Sequence, residues 1–180
     1  MTEEIIFAGF GGQGVLSMGQ VLAYSAVMQG QEVSWMPSYG PEMRGGTANC
    51  IVIISDEIIS SPILNQFDTV VALNQPSVDK FENCVKPGGT MIYDTNGITR
   101  HPSRTDINIY KIDAANEAAR MHNTKIMNMI ILGGFLKLKP IIEKENITKG
   151  LKKVLPERYH NLVPLNLEAI DKGAEILEKV

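Results

Sequence analysis

The six residues Gly9-Phe10-Gly11-Gly12-Gln13-Gly14 constrain this chain more than any others. They follow a short apolar run, Ile5-Ile6-Phe7-Ala8, which suits a fully buried strand. They open a segment, Gly14 to Gln29, in which Val15, Leu16, Val21, Leu22, Ala26 and Val27 recur at helical intervals until Gly30 stops it. Gly9, Gly11 and Gly14 satisfy G-x-G-x-x-G, and a strand before with a helix after is the context that gives this pattern weight. Glycine lets the chain turn sharply and brings backbone N–H groups close to an oxyanion, while the helix N-terminus adds partial positive charge. A phosphate, pyrophosphate or carboxylate is the natural guest. The competing reading is a tight strand-to-helix turn with no ligand.

Two familiar uses of such a loop fail on the residues around it. A nicotinamide dinucleotide site needs an Asp or Glu near the end of the second strand, about 20 residues on, to hold the ribose. That region reads Val33-Ser34-Trp35-Met36, and Glu32 stands at the start of the strand. No Gly-Lys-Ser/Thr follows the glycines, so a Walker A nucleotide loop is absent as well.

The rest of the chain alternates strands and helices, then turns helical. Glu32–Met36, Thr47–Ser55, Thr69–Leu73, Thr90–Tyr93 and Ile107–Ile112 read as strands, with a short helix over Val78–Val85. Asp113–His122, with Asp113 as N-cap candidate, Ile126–Leu138, Glu143–Val154 and Asn166–Val180 read as helices. Ser55-Asp56 between Ile51–Ile54 and Ile58-Ile59 suggests a hairpin. These elements predict one α/β domain: a Rossmann-like open, mostly parallel sheet with helices on both faces, irregular or antiparallel pairing around 47–62, and a helical C-terminal third.

Composition narrows the chemistry. The chain has 180 residues with Cys50 and Cys84 as its only thiols, and three histidines. Two thiols cannot hold an iron–sulfur cluster or a structural zinc alone, so any redox metal chemistry must come from another chain. A net charge of −3 argues against a nucleic-acid-binding or polybasic membrane surface. No stretch is apolar enough for a membrane span, and with no export signal a cytoplasmic location is expected. His101, His122 and His160 read as structural or solvent-facing, Cys50 and Cys84 as small hydrophobes, and Met127 and Met129 as core or subunit interface. The segment Asn74-Gln75-Pro76-Ser77, at the ligand-binding edge of the sheet, reads as a cap for the next helix, with amides lining the site as the competing reading.

A second motif, Pro37-Ser38-Tyr39-Gly40-Pro41-Glu42-Met43-Arg44-Gly45-Gly46-Thr47, follows the second strand. It falls at the carboxyl edge of an open sheet, where ligands bind. If strands one and two are neighbours, it stands beside the glycine loop. Arg44 could clamp an anion, with Glu42 orienting it and Tyr39 offering a ring and a hydroxyl. The competing reading is a rigid surface loop with solvated charges.

The Gly9–Gly14 loop, the Ser38–Gly46 segment, and Ser55-Asp56 with Ser61-Pro62 together resemble the gamma subunit of 2-oxoacid:ferredoxin (or other acceptor) oxidoreductases. The resemblance covers essentially the whole chain, 1–180, as a single gamma-type domain. It is nearest to the 2-oxoglutarate enzyme, with the branched-chain 2-oxoacid enzyme next and pyruvate also open. It implies oxidative decarboxylation of a 2-oxoacid to an acyl-CoA, with electrons passed to ferredoxin or another low-potential acceptor. It places thiamine diphosphate with Mg2+ on alpha and beta subunits, and iron–sulfur clusters on the beta subunit or a ferredoxin-like delta subunit. The gamma subunit is left with a part in coenzyme A handling, its glycine loop suiting a coenzyme A phosphate or a contact near the thiamine site. The expected cofactor-contacting residues are Gly9, Gly11, Gly12, Gln13, Gly14, Ser38, Tyr39, Glu42, Arg44, Gly45 and Gly46. No catalytic residue and no metal ligand is expected on this chain. The isolated chain is expected to be inactive, and it can self-associate through the face meant for its partners. Two rivals are a stand-alone nucleotide-binding module or small NAD(P)/flavin oxidoreductase, and a structural subunit with an empty loop.

Overall fold

The first strand sits where its apolar run requires, in the middle of a sheet with cover on both faces. β1 (Thr2–Phe10) is buried continuously from Ile5 to Gly9. It sends Ile5 and Phe7 into one core layer and Ile6 and Ala8 into the other. The computed structural model describes residues 1–39 and 47–180, with Tyr39 described by its backbone alone. After β1 come α1 (Val15–Met28), β2 (Glu32–Tyr39), β3 (Thr47–Ser55), β4 (Phe67–Ala72), α2 (Gln75–Phe81) and β5 (Val85–Asp94). Next come β6 (Asn108–Ile112), α3 (Ala114–Arg120), α4 (Met127–Leu138), α5 (Lys144–Val154), α6 (Val163–Ile176) and β7 (Glu178–Lys179).

Among the described residues seven strands form one mixed sheet in the order β2-β3-β1-β4-β5-β6-β7. β1, β4, β5 and β6 run parallel, as strand–helix alternation predicts. Antiparallel pairing extends further than residues 47–62. β3 pairs antiparallel with both β1 and β2, and β7 pairs antiparallel with β6.

Three local expectations need correction. The hairpin from Ile51–Ile54 to Ile58-Ile59 does not form, and Ile58 stands 89% exposed. β3 has six buried residues in nine, so it takes a long strand on each side rather than a two-residue partner. The first and second strands are consequently not neighbours, because β3 lies between them. The last helix ends at Ile176 rather than Val180, and Glu178 and Lys179 instead pair with Lys111 and Tyr110. That pairing gives edge strand β6 partners for backbone groups it would otherwise expose.

The two faces are unequally covered. On one, Phe7, Val52, Ile54, Val71 and Ile92 pack under α1, α3, α4, α5 and α6. Phe7 meets Phe135 of α4 edge-to-face with ring centroids 6.0 Å apart. On the other face α2 is the only α-helix among the described residues, supplying Val78 and Phe81 against Val70, Met91 and Tyr93. Cys50 lies in the thicker layer at 0% exposure, and burial pushes its thiol up to about 12, so it is an inert hydrophobe. Met129, Ile130 and Ile131 are core residues, as expected.

The start of α3 is capped by a residue other than the expected one. Asp113 makes no side-chain cap; its Oδ1 accepts instead from the Thr95 hydroxyl and the Asn116 amide. The cap comes from the neighbouring strand, where Asp94 Oδ1 accepts from Ala114 N at 3.0 Å. Asp94 is 1% exposed. Burial raises its carboxyl from 3.8 to about 6, opposed by backbone N–H donors from Ala114, Ala115 and Asn96 and reinforced by the Asp113 charge.

The folded state therefore holds the Asp94 proton more tightly than the unfolded chain does. Its stability falls as pH rises from about 4 to about 6, and stays at the lower level above that. Asp94→Asn keeps an oxygen for Ala114 N and removes the buried charge. It should stabilise the protein at pH 8 by up to roughly 3 kcal/mol, and the gain should shrink toward zero near pH 4. Urea unfolding of both proteins across that range checks this; a gain that does not grow with pH contradicts it.

Candidate functional site

The glycine loop occupies the point where the sheet changes winding. From β1 the chain crosses to α1 on the thick face, and from β4 to α2 on the thin one. At the carboxyl edge the adjacent, parallel strands β1 and β4 therefore diverge, which is where open α/β sheets bind ligands. Gly9 ends the buried part of β1 because nothing larger fits: a Cβ there would lie 2.6 Å from Gln13 Oε1 and 3.0 Å from Leu73 Cβ. Gly12 and Gly14 have φ of 91° and 74°, the left-handed region that favours glycine. Gly14 is the N-cap of α1.

The first turn of α1 carries no neutralising group. Gly14 has no side chain to cap it, and the turn contains no acidic residue. The leading N–H groups of the helix at Val15, Leu16 and Ser17 thus keep their donor capacity and the positive end of the dipole. These three residues line a cleft of about 310 Å³ together with Phe10, Gly11, Gly12, Gly14 and Ala48. Chemically, such a surface suits an anion.

Gln13 does something other than face the cleft with free donors. Its Oε1 accepts from Phe10 N at 2.7 Å, and its Nε2 donates to Leu73 O at 3.2 Å. The amide thus ties the loop to the end of β4. On the other flank Asn128, from the first turn of α4, donates from Nδ2 to Gly14 O at 3.1 Å. Sequence reading missed Asn128. The available signal was one carboxamide at the head of the otherwise apolar run Met127–Phe135. Asn74 caps α2 as expected, its Oδ1 accepting from Ser77 N at 2.8 Å.

The second motif is partly in view. Ser38 and Tyr39 end β2, with Tyr39 opposite Ala48, which itself lies opposite Gly9. Two strand spacings, roughly 10 Å, separate the Tyr39 backbone from the glycine loop. Glu42, Arg44, Gly45 and Gly46 lie outside the described residues. Glu32 lies opposite Ser55, at the far edge of the sheet. Seven residues along β1 separate that edge from Gly9, roughly 24 Å, so it cannot hold a ribose at the loop.

Other polar features are self-contained. A larger cleft of about 410 Å³ lies at the carboxyl edge of β5 and β6. Its cations are paired, Arg120 with Glu117 at 2.7 Å and Lys111 with Glu178 at 3.5 Å, so it lacks the unpaired pole of the α1 end. His101 bonds the Tyr93 hydroxyl at 3.0 Å. Among the described residues no cluster of His, Cys, Asp and Glu could hold a metal ion, and no helix is long and apolar enough to cross a membrane.

The chain as a whole is similar to known proteins. The family model for pyruvate ferredoxin/flavodoxin oxidoreductase matches residues 4–176, so the chain belongs to that family. It is 40% identical over 174 residues to the ketoisovalerate oxidoreductase subunit VorA of Methanothermobacter thermautotrophicus, covering 96% of this chain and 36% of that protein. The chain thus spans about a third of the length of that relative. Among solved structures it is similar to the gamma subunit of a keto/oxoacid ferredoxin oxidoreductase from Geobacter sulfurreducens. That match has a TM-score of 0.83, 27% identity and 99% of each chain covered. It is also similar to the 2-oxoglutarate:ferredoxin oxidoreductase of Magnetococcus marinus with 2-oxoglutarate, coenzyme A and succinyl-CoA bound. There the TM-score is 0.86 with 27% identity, over 97% of this chain and 30% of that one.

Proposed function

We propose that residues 1–180 form a single gamma-type domain, the gamma subunit of a multi-subunit 2-oxoacid:ferredoxin oxidoreductase. The complex would decarboxylate a 2-oxoacid oxidatively, transfer the acyl group to coenzyme A, and pass the electrons to ferredoxin or another low-potential acceptor. Thiamine diphosphate with Mg2+ and the iron–sulfur clusters belong to alpha, beta and ferredoxin-like delta partners in this reading. The observation that carries it is the uncapped, acid-free N-terminus of α1 behind Gly9–Gly14. It suits a coenzyme A phosphate and lacks the ribose acid of a nicotinamide site.

In this role Gly11, Gly12 and Gly14 shape the cradle, and the amides of Val15, Leu16 and Ser17 supply the donors. Gln13 holds the loop to β4. On sequence grounds Ser38, Tyr39, Glu42, Arg44, Gly45 and Gly46 form the second clamp or a subunit contact. The chain supplies binding and orientation, and no bond is made or broken on its side chains.

For the oxoacid, we keep 2-oxoglutarate, supported by the likeness to the Magnetococcus marinus enzyme. The 40% identity to VorA favours a branched-chain 2-oxoacid as the second reading.

Affinity purification of the native protein, with mass spectrometry and cofactor analysis of what accompanies it, tests the assignment. Subunits carrying thiamine diphosphate and iron–sulfur clusters are expected. The purified complex should turn over 2-oxoglutarate with coenzyme A faster than 2-oxoisovalerate or pyruvate, while the chain alone should not turn over. Turnover by the isolated chain, or micromolar NAD binding to it by calorimetry, would sink the proposal.

A further inference from the structure

The loop's donor groups are backbone amides, so their aim depends on what holds the peptide planes. The carbonyl of Gly14 and the N–H of Val15 belong to one planar peptide unit. Whatever fixes Gly14 O therefore also fixes the direction of the first cleft amide. Two donors do so. Met18 N, within α1 itself, donates at 3.0 Å. Asn128 Nδ2, from another helix, donates at 3.1 Å.

Asn128 is itself held. Its Oδ1 accepts from Met129 N at 2.9 Å, and the residue is 8% exposed. The approach is close: a Cβ at Gly14 would stand 2.5 Å from Nδ2.

We infer that Asn128 is a positioning residue for the anion cradle, holding the Gly14–Val15 peptide with its N–H toward the cleft. This rests on reading the loop as a coenzyme A phosphate site. Asn128 touches no ligand in this role. It acts through the backbone, as Gln13 does on the opposite flank. Together the two carboxamides brace the loop from α4 and from β4. The cradle is thereby set before ligand arrives, and little ordering is left to the binding step. α4, on which Asn128 stands, is anchored in the thick core through Ile130, Ile131 and Phe135.

The test pairs two readouts. In the full chain, 15N relaxation at Gly14 and Val15 reports the bracing directly. In the assembled complex, steady-state kinetics report the coenzyme A KM separately from kcat. Asn128→Ala removes the donor. Asn128→Asp keeps the packing and the acceptor for Met129 N, and serves if the alanine variant does not fold or assemble.

The expected result is a fall in the Val15 order parameter from the rigid range, about 0.85, toward roughly 0.6. With it, the coenzyme A KM should rise about three- to tenfold with kcat within about twofold, the effect of one lost hydrogen bond. Unchanged order parameters in either folded variant overturn the inference. So does an unchanged coenzyme A KM in Asn128→Ala when Gly12→Val raises it. If Gly12→Val also leaves the coenzyme A KM unchanged, the coenzyme A reading of the loop fails instead, and Asn128's part in it with it.

Discussion

Gly173→Ala should leave little folded protein. A Cβ at residue 173 would lie 1.7 Å from Ile130 O, and one at Gly133 would lie 1.9 Å from Ile170 O. These are reciprocal contacts, with Gly133 of α4 and Gly173 of α6 each set against the backbone of the other helix. No side chain can swing aside, because the obstacle is a carbonyl within a helix. The helices must move apart, and Ile130, Phe135, Ala169 and Ile170 lose their packing together. The expected cost is about 3 kcal/mol or more, at the upper end for overpacked cores. That is a large share of the stability of a domain this size. Thermal melts and soluble yield of Gly173→Ala and Gly133→Ala check it, and wild-type melting in either would refute the crossing.

Gly14→Val should cost the assembled complex about a hundredfold in activity at limiting coenzyme A, given what a misplacement of about 1 Å does to a positioned reactant. The residue is branched where φ is 74°, and its Cβ would meet Asn128 Nδ2 at 2.5 Å. The loop must then either abandon its left-handed turn or push Asn128 off the Gly14 carbonyl. Either way the Val15 amide turns out of the cleft. The clash falls on the Asn128 side chain in the first turn of α4, rather than on a helix carbonyl as at Gly173, so the chain should still fold. Activity within threefold of wild type in the folded, assembled variant would refute the proposed coenzyme A role of the loop.

Local chemistry made much of the molecule legible in sequence. The apolar run before Gly9, the helical spacing after it, and the β-branched residues of Ile51–Ile54 each demand their element with little help from elsewhere. The absence of a ribose acid was equally plain, and Glu32 stands some 24 Å from the loop along the strands. What escaped sequence reading depends on partners far along the chain. β3 inserts between β1 and β2 because it is buried on both sides, and nothing local says which strands will flank it. Glu178 and Lys179 continue a helical pattern in sequence but are taken by the open edge of β6, 67 to 69 residues away along the pairs Lys111–Glu178 and Tyr110–Lys179. Asp94 caps α3 from the adjacent strand, so Asp113, the residue next to the helix in sequence, drew attention from it. Asn128 reaches Gly14 across 114 positions. Residues 40–46 carry the second motif and lie outside the described residues.

The outer strand β2 carries Pro37 toward the carboxyl end of its pairing with β3. A proline has no N–H, so beyond β2 a further strand would find a gap in its ladder of donors. The opposite edge ends in the two-residue β7, whose Glu178 and Lys179 are exposed charges. Neither margin offers the long, flat, apolar template on which chains stack into fibrils. Among the described residues both margins disfavour an added strand, which favours a subunit contact made by side chains and loops over one that lengthens the sheet.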